Sequence, residues 1–521
     1  MLPEGDNRRM TRLLAALLFA TASLHATPVA SDAARMEGTV FVDRNGNGRQ
    51  DQDEPGLKGV GMSNGRDIVR TDSRGRYAIA VRTGEIVFAI KPAGFAFGRR
   101  ADGLPAAWQA WPATRFDVPL HREPRRDTGL DMLVFGDPQP QTQVDVGYYR
   151  RDIVEPLVGH ARAVLGLSLG DITSDNPSLY SDINRATMLL GLPWLHVAGN
   201  HDVDAKAMDD THALESFRKV YGPDTFAWEE PEATVVGLDD VISSPGSKPA
   251  YIGGIREDQF AFLQAYLATA PRGRLLVLAM HIPLFEPPGK DTFRDADRAR
   301  LFAMLRPFPH VLVLSAHMHT QQHVFHDARD GWNGAQPLHE YNVGAACGAY
   351  WSGVKDAEGI PAATMPDGTP NGYATLHVVA GGAYALAWHP ARDPADTQVA
   401  LHAPKVLRQG AYPAWGLYAN VYMGAEDTPV SFRVDGGDWK PMAKVTQPDP
   451  DLLAENARDD AAPALRGYDR SPEATPSPHL WRAALPTSLA VGTHTVEVRV
   501  IDRWRGEQHA HTSYRLEDAS P

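Results

Sequence analysis

Five short apolar runs in this 521-residue chain each stop at residues able to hold a metal ion. Leu130–Phe135 leads through Gly136 to Asp137, Pro138 and Gln139. Val164–Leu169 leads through Gly170 to Asp171, and Trp194–Val197 leads to Gly199, Asn200, His201 and Asp202. Leu275–Ala279 leads through Met280 to His281, and Val311–Leu314 leads to His317, Met318 and His319. Ligands in open α/β sheets gather outside the carboxyl ends of the strands, so these strand ends should converge. Asp137, Gln139, Asp171, Asn200, His281, His317 and His319 form a set of mixed oxygen and nitrogen donors without thiolate. Such a set suits two divalent transition metals rather than structural zinc. Two metals that share a water lower its pKa and neutralise the charge of a phosphoryl group, which is what hydrolysis of an anionic ester requires.

The order of these motifs resembles the calcineurin-like metallophosphoesterase superfamily. That family's pattern is D-x-H, GD, GNH[DE], a lone His after a strand, then GHxH, and the likeness covers about 130–320. It implies that Asp137, Gln139, Asp171 and His319 hold one metal. Asp171, Asn200, His281 and His317 hold the other, with Asp171 bridging. His201 is implied to be the non-ligand histidine facing the leaving group, and metal-bridged hydroxide is the implied nucleophile. Three positions depart from the pattern. Gln139 stands where the family usually has His; an amide oxygen is a harder ligand, which favours Mn or Fe while leaving Zn and Ni compatible. Ala316 replaces a Gly. Ser174, followed by Asp175, stands where an Asp often orients the catalytic His, so the orienting partner of His201 is open. A purple acid phosphatase has Tyr as an iron ligand there, so that subclass is not expected.

Two further features carry chemistry. Residues 43–54, DRNGNGRQDQDE, place Asp43, Asn45, Asn47, Asp51 and Glu54 at calcium-loop spacing around Gly48. A strand rather than a helix precedes this loop. It is similar to the calcium loops of Cna-B- and SdrD-B-like β-sandwich modules, so a Ca ion is expected in the N-terminal region. Residues 345–353, AACGAYWSG, and 367–373, DGTPNGY, follow the last metal motif. Tyr350 and Trp351 are expected to wall the cleft. Cys347, the single cysteine, has no assignable His/Asp partner, and His323 and His326 are read as structural.

The elements that must position these residues are legible as alternating patterns. The five apolar runs, with Thr234–Leu238, read as strands. Val144–His160, His212–Tyr221, Arg256–Leu267 and Thr292–Leu305 carry apolar residues at helical spacing between them. This is an α/β pattern, and the resemblance sharpens it to an αββα layered core of mixed sheets with flanking helices. Residues 36–122 read as a β-sandwich, with turn signals at Ser63-Asn64-Gly65 and Asp72–Gly75. The catalytic domain is expected over 129–344 and a β-rich domain over 345–521, with 446–480 as a loop or insertion.

With Lys+Arg at 51 and Asp+Glu at 64 the chain carries a net charge of −13, unsuited to wrapping nucleic acid. Its single cysteine excludes an internal disulfide framework. Residues 1–30 read as a signal peptide, with Arg8, Arg9 and Arg12 ahead of Leu13–Leu24, and Ala26 or Ala30 at the cleavage site. The mature protein is expected in the periplasm or secreted, without a transmembrane anchor. The expected function is hydrolysis of phosphate mono- or diesters. The competing expectation is a calcium-dependent surface, adhesion or glycan-binding protein with a degenerate core.

Overall fold

The computed structural model describes residues 34–518 apart from 127, 287–291, 395 and 468. The signal-peptide expectation for 1–30 lies outside the described residues.

Two mixed sheets form the centre. The first runs in the order Trp194–Val197, Leu165–Leu169, Leu130–Phe135, Gly372–Val378, Tyr384–Pro390. Its first three strands are parallel, and the last two form an antiparallel hairpin. The second runs Phe226–Glu229, Ala233–Gly237, Leu275–Ala279, Val311–Ser315, Leu338–Asn342, Gln322–His326. Its four central strands are parallel. Parallel strands are covered on both faces, which is why LGLSL and LLVLA are apolar without alternation and wholly buried. Because all five chemistry-bearing strands run parallel within their sheets, each sheet delivers its site residues at one edge.

The helices fall close to the periodic segments, at Gln143–Tyr149, Glu215–Tyr221, Glu257–Leu267 and Asp295–Leu305. The first is capped by Thr142, whose side chain accepts from the Asp145 amide, and continues as a π-turn over Arg150–Val154. One helix, Tyr180–Thr187, lies where no periodicity marked it.

Residues 34–122 form two four-stranded sheets. Their apolar faces, including Met36, Val40, Met62 and Val87, join the same hydrophobic cluster as the central sheets. The boundary placed at 344 does not coincide with a break in the sheets. The strands Gly372–Val378 and Tyr384–Pro390 complete the first central sheet. Beyond them, two further sheets built from strands between Val399 and Glu517 enclose a separate core around Leu417, Val498 and Leu516. The segment 446–480 is more than a loop, since it holds the helix Pro450–Ala461. Asp449 caps that helix, accepting from the amides of Asp451 and Leu452, and Pro450 sits in its first turn. No helix among the described residues is long and apolar enough to cross a membrane.

Candidate metal centre

The site forms where the two central sheets present the ends of their parallel strands to one another. Gly136, just past the first strand, bridges to Ala345, and the Cys347 amide donates to the Asp137 carbonyl at 3.1 Å. Gly199 is required by close approach: a Cβ there would lie 2.2 Å from the Asp171 carboxylate. With glycine, the Asn200–Asp202 turn folds directly onto Asp171, whose Oδ1 accepts from the His201 amide at 2.8 Å.

Asp171 is the hub. Its Oδ2 lies 3.3 Å from His281 Nε2 and accepts from Gln139 Nε2 at 3.3 Å. His281 Nε2 also lies 3.0 Å from Asn200 Oδ1 and 3.2 Å from His317 Nδ1. Ligand atoms of Asp171, His281 and His317 fall within 4.8 Å of one another. Beside this group, Asp137 Oδ2 accepts from the His317 amide at 3.2 Å, and Asp137 Oδ1 lies 3.6 Å from His319 Nε2. The structure thus brings all seven strand-end residues together as two groups joined through Asp171.

The residues fit a pair of cations for three reasons. His281 Nδ1 donates to the Leu169 carbonyl at 2.8 Å and His319 Nδ1 to the Gly348 carbonyl at 2.6 Å. Those bonds fix each ring with Nε2 turned toward the carboxylates, as in metal-ligating histidines. Asp137 Oδ1 is buried without a hydrogen-bond partner, and an acceptor left so costs about 1–3 kcal/mol unless something positive meets it. Finally, Asp171, Asn200 and His317 all converge on the one Nε2 of His281.

Burial and charge set the protonation of the site. Burial pushes the Asp137 carboxyl up, against the pull of His281. Burial would also raise Asp171, but the charge and hydrogen bond of His281, with His201 and His317, hold it well below the usual carboxylate range. His281 is raised against its own burial by the charge and hydrogen bond of Asp171. Burial, reinforced by the charge of His281, lowers His317 to about 3, and burial lowers His319 to about 4. Both are therefore neutral donors at pH 7.

His201 is partly exposed at 28%. Asp175 Oδ1 lies 3.0 Å from its Nδ1, though the approach is too oblique for a hydrogen bond. Asp175, not Ser174, is therefore the carboxylate beside this ring. Two further acids hold the loops. Asp202 accepts from the amides of Ile172, Thr173 and Gly199 and from the Tyr180 hydroxyl. Asp240 accepts from the amides of His281 and Ile282, each at 2.9 Å. The strand-end logic that found the ligands reaches Asp240 too, because it follows the strand Ala233–Gly237.

Eight of the ten non-glycine residues with positive φ among the described residues lie in the site segments. They are Asp137, Gln139, Asp171, Asp175, His317, His319, Tyr350 and Trp351. Such conformations cost on the order of 1–3 kcal/mol each and persist where surrounding structure enforces them, typically at functional sites.

A cleft of about 620 Å³ opens over His317 and His319, with Tyr350 on its wall. Tyr350 is 60% exposed and its ring centroid lies 4.8 Å from that of His319. Trp351 was expected beside it but is buried at 1%, its Nε1 donating to the Pro138 carbonyl. It packs behind the site and cannot stack on a substrate. Cys347 is buried 3.6 Å from Gln139 Oε1, with its thiol pushed well up by burial and by Asp137.

The 43–54 loop stands apart from this centre. Asp43 accepts from the amides of Gly46 and Gly48, and Glu54 accepts from those of Arg44 and Asp51. Asn45 and Asn47 both donate to Asp51 Oδ2, at 2.7 and 2.9 Å.

Three family models match the chain in order. They are the N terminal of calcineurin-like phosphoesterase over 44–117, calcineurin-like phosphoesterase over 131–321, and the C terminal of calcineurin-like phosphoesterase over 340–508. The model matched at the N-terminus is described as the N terminal of calcineurin-like phosphoesterase. Comparison with curated proteins gives no match. Among solved structures, a purple acid phosphatase from yellow lupin (Lupinus luteus) seeds is similar at 10% identity. That match has a TM-score of 0.38 and covers 64% of this chain and 67% of that one. GAP50, the anchor in the inner membrane complex of Plasmodium, is similar at 13% identity and a TM-score of 0.33, covering 51% of this chain and 86% of that one.

Proposed function

The chain belongs to the calcineurin-like phosphoesterase family, and on that premise we propose how its site is used and where it works. It is a metal-dependent phosphoric ester hydrolase with a dinuclear metal centre, and its substrates are phosphate esters. In the proposed assignment Asp137, Gln139, Asp171 and His319 hold one ion, and Asp171, Asn200, His281 and His317 hold the other. Mn or Fe is preferred because Gln139 offers an amide oxygen where imidazole would favour softer ions. When bound, two such ions neutralise phosphoryl charge and acidify a water.

The protein's own groups supply the rest. Asp171 stays ionised and is shared by both halves of the centre. His317 and His319 are neutral at working pH, so they bring lone pairs rather than competing charge. His201, partly exposed beside Asp175, delivers a proton to the departing oxygen. Asp175 is the carboxylate beside this ring, its Oδ1 3.0 Å from Nδ1. Asp202 and Asp240 hold the two loops so that Asn200 and His281 keep their aim. The observation that carries this reading is the convergence of Asp171, Asn200 and His317 on His281 Nε2, beside an unpartnered Asp137 Oδ1. An adhesion protein with a decayed core has no need to keep every donor so aimed.

Elemental analysis after reconstitution with Mn, Fe, Ni or Zn tests this, run with 4-nitrophenyl phosphate and its bis-ester as substrates. Two ions per chain and turnover of at least one ester are expected. Protein that binds no transition metal overturns the assignment.

Export is proposed from residues 1–30. The protein isolated from the periplasm or medium should begin just after Ala26 or Ala30; a retained Leu13–Leu24 run would contradict it. Calcium at Asp43, Asn45, Asn47, Asp51 and Glu54 is proposed from their oxygen spacing. It should raise the melting temperature of the full chain through binding to the folded state alone. Equal melting in millimolar calcium and in chelator would remove it.

A further inference from the structure

The cleft over His317 and His319 is far larger than a phosphate group requires, and its outer wall belongs to another part of the chain. Asp469, Arg470 and Glu473, from the segment after the helix Pro450–Ala461, face Tyr350 across it. This wall is held in place from both sides. The Gly353 amide donates to the Asp469 carbonyl, and Val354 bridges to Gly467. A Cβ on Gly467 would lie 1.8 Å from the Gly353 carbonyl oxygen, so only glycine admits that approach. On the other side the Ser471 amide donates to Asp459 of the helix at 2.9 Å, and Asn456 donates to the Pro472 carbonyl at 2.8 Å.

The charge of this wall is unbalanced. Arg470 is its one cation, and its guanidinium is already paired with Asp460. Asp469 and Glu473 have no ion-pair partner among the described residues. On this wall a second phosphate, or any other anion on the organic part of the substrate, would therefore meet the carboxylates of Asp469 and Glu473, with Arg470 already engaged by Asp460. Carboxylates that face solvent are good acceptors for hydroxyl groups, and an exposed aromatic ring offers a flat apolar face for the C–H side of a sugar ring.

We propose that this cleft is the subsite for the alcohol of the ester, and that it selects phosphate esters of a neutral, hydroxyl-rich alcohol such as a sugar. Tyr350 supplies the platform, Asp469 and Glu473 accept from the hydroxyls, and the C-terminal segment thereby sets specificity. This rests on the phosphoesterase reading above.

The test uses the full-length protein reconstituted with Mn and four esters. They are glucose 6-phosphate, glucose 1,6-bisphosphate, cyclohexylmethyl phosphate and ethyl phosphate. The expected order of kcat/KM puts glucose 6-phosphate first. The bisphosphate should fall about tenfold or more below it through like-charge contact. The hydroxyl-free ring should fall several-fold below it, because it offers no hydroxyl to donate to Asp469 and Glu473. Tyr350→Ala should lower kcat/KM for glucose 6-phosphate about tenfold more than for ethyl phosphate. Glu473→Gln should narrow the gap between the mono- and bisphosphate. Both side chains are exposed, so both variants should fold.

Equal rates across the four esters, or a preference for the bisphosphate, would overturn the proposal. So would a Tyr350→Ala loss that is the same for glucose 6-phosphate and ethyl phosphate. If the reconstituted protein hydrolyses neither these esters nor 4-nitrophenyl phosphate, the phosphoesterase reading fails and the subsite falls with it. Turnover of 4-nitrophenyl phosphate with a flat panel refutes the subsite alone.

Discussion

Asp171 and His201 are joined by a backbone-to-carboxylate hydrogen bond yet have opposite proposed duties, and variants should separate them. In the proposed assignment Asp171 serves both ions, so Asp171→Asn should lose metal and activity together, read by elemental analysis beside turnover. Retention of both ions with full activity would contradict its place as hub. His201 touches Asp171 through its backbone amide, not its ring. His201→Ala should therefore keep nearly all the metal while slowing turnover by about 10²–10⁴-fold, the scale of a lost general acid. That loss should shrink for nitrophenolate esters, whose leaving group needs little protonation. Equal losses for good and poor leaving groups would move His201 to the phosphoryl oxygens instead. Asp175→Asn should reproduce part of the effect, with the same leaving-group dependence, because it acts through the ring it faces.

The elements that hold these residues also carry distinct tasks. The helix Pro450–Ala461 reaches the active-site cleft through the segment that follows it. Asp449→Ala removes the cap, which costs roughly 0.5–2 kcal/mol, and also takes away one of the two acceptors of Asn420 Nδ2, which donates to Asp449 and to the Asp367 carbonyl, each at 3.0 Å. A lower denaturant midpoint with unchanged metal content is expected. Gly467→Ala addresses the wall itself. The added methyl cannot coexist with the Gly353 carbonyl at its present distance, so the wall must shift outward. Kinetics with large and small esters should show a changed ratio of kcat/KM while metal content holds. An unchanged ratio would mean that the wall does not meet the substrate.

Across the whole molecule, the N-terminal sandwich is locked to the centre by a buried ionic cluster. Lys91, 1% exposed, lies 2.8 Å from Glu230 and 2.9 Å from Glu123, and Arg126 closes on Glu230 at 2.5 Å. Burial would raise Glu230, but the charge of Lys91 and hydrogen bonds from Lys91, Trp228 and Arg126 outweigh it and hold the carboxyl below its ordinary 4.5. A depressed carboxyl contributes its stability above the unfolded value and loses it as pH falls through the folded value. The native protein should therefore lose stability below about pH 4.5. Glu230→Gln should destabilise by about 1–3 kcal/mol at neutral pH, because Lys91 and Arg126 lose a charged partner while Glu123 still compensates Lys91. The same variant should show a shallower acid limb, measured by denaturant midpoints across pH. An acid limb as steep as the native one would show that other groups carry it.

The sequence alone determined which seven residues the strand ends would bring together, because each follows directly on an apolar strand and strand ends are local features. The central strands, four of the helices and the family pattern were legible on the same ground. What depended on distant contacts was not. The pairing of Gly372–Val378 with Leu130–Phe135 joins residues more than two hundred positions apart, and no local signal marks which sheet a hairpin will complete. Tyr350 and Trp351 are neighbours of similar character, yet one lines the cleft and the other is buried, a difference set by opposite side-chain directions at two left-handed residues. Asp175 rather than Ser174 faces His201 for a similar reason, since a positive φ at Asp175 turns the chain at that step. The wall at 469–473 meets the metal centre only because Gly467 allows two backbones to touch. Chemistry was written in residue types and spacing; which groups stand around that chemistry was decided by backbone conformation and long-range packing, which local sequence does not encode.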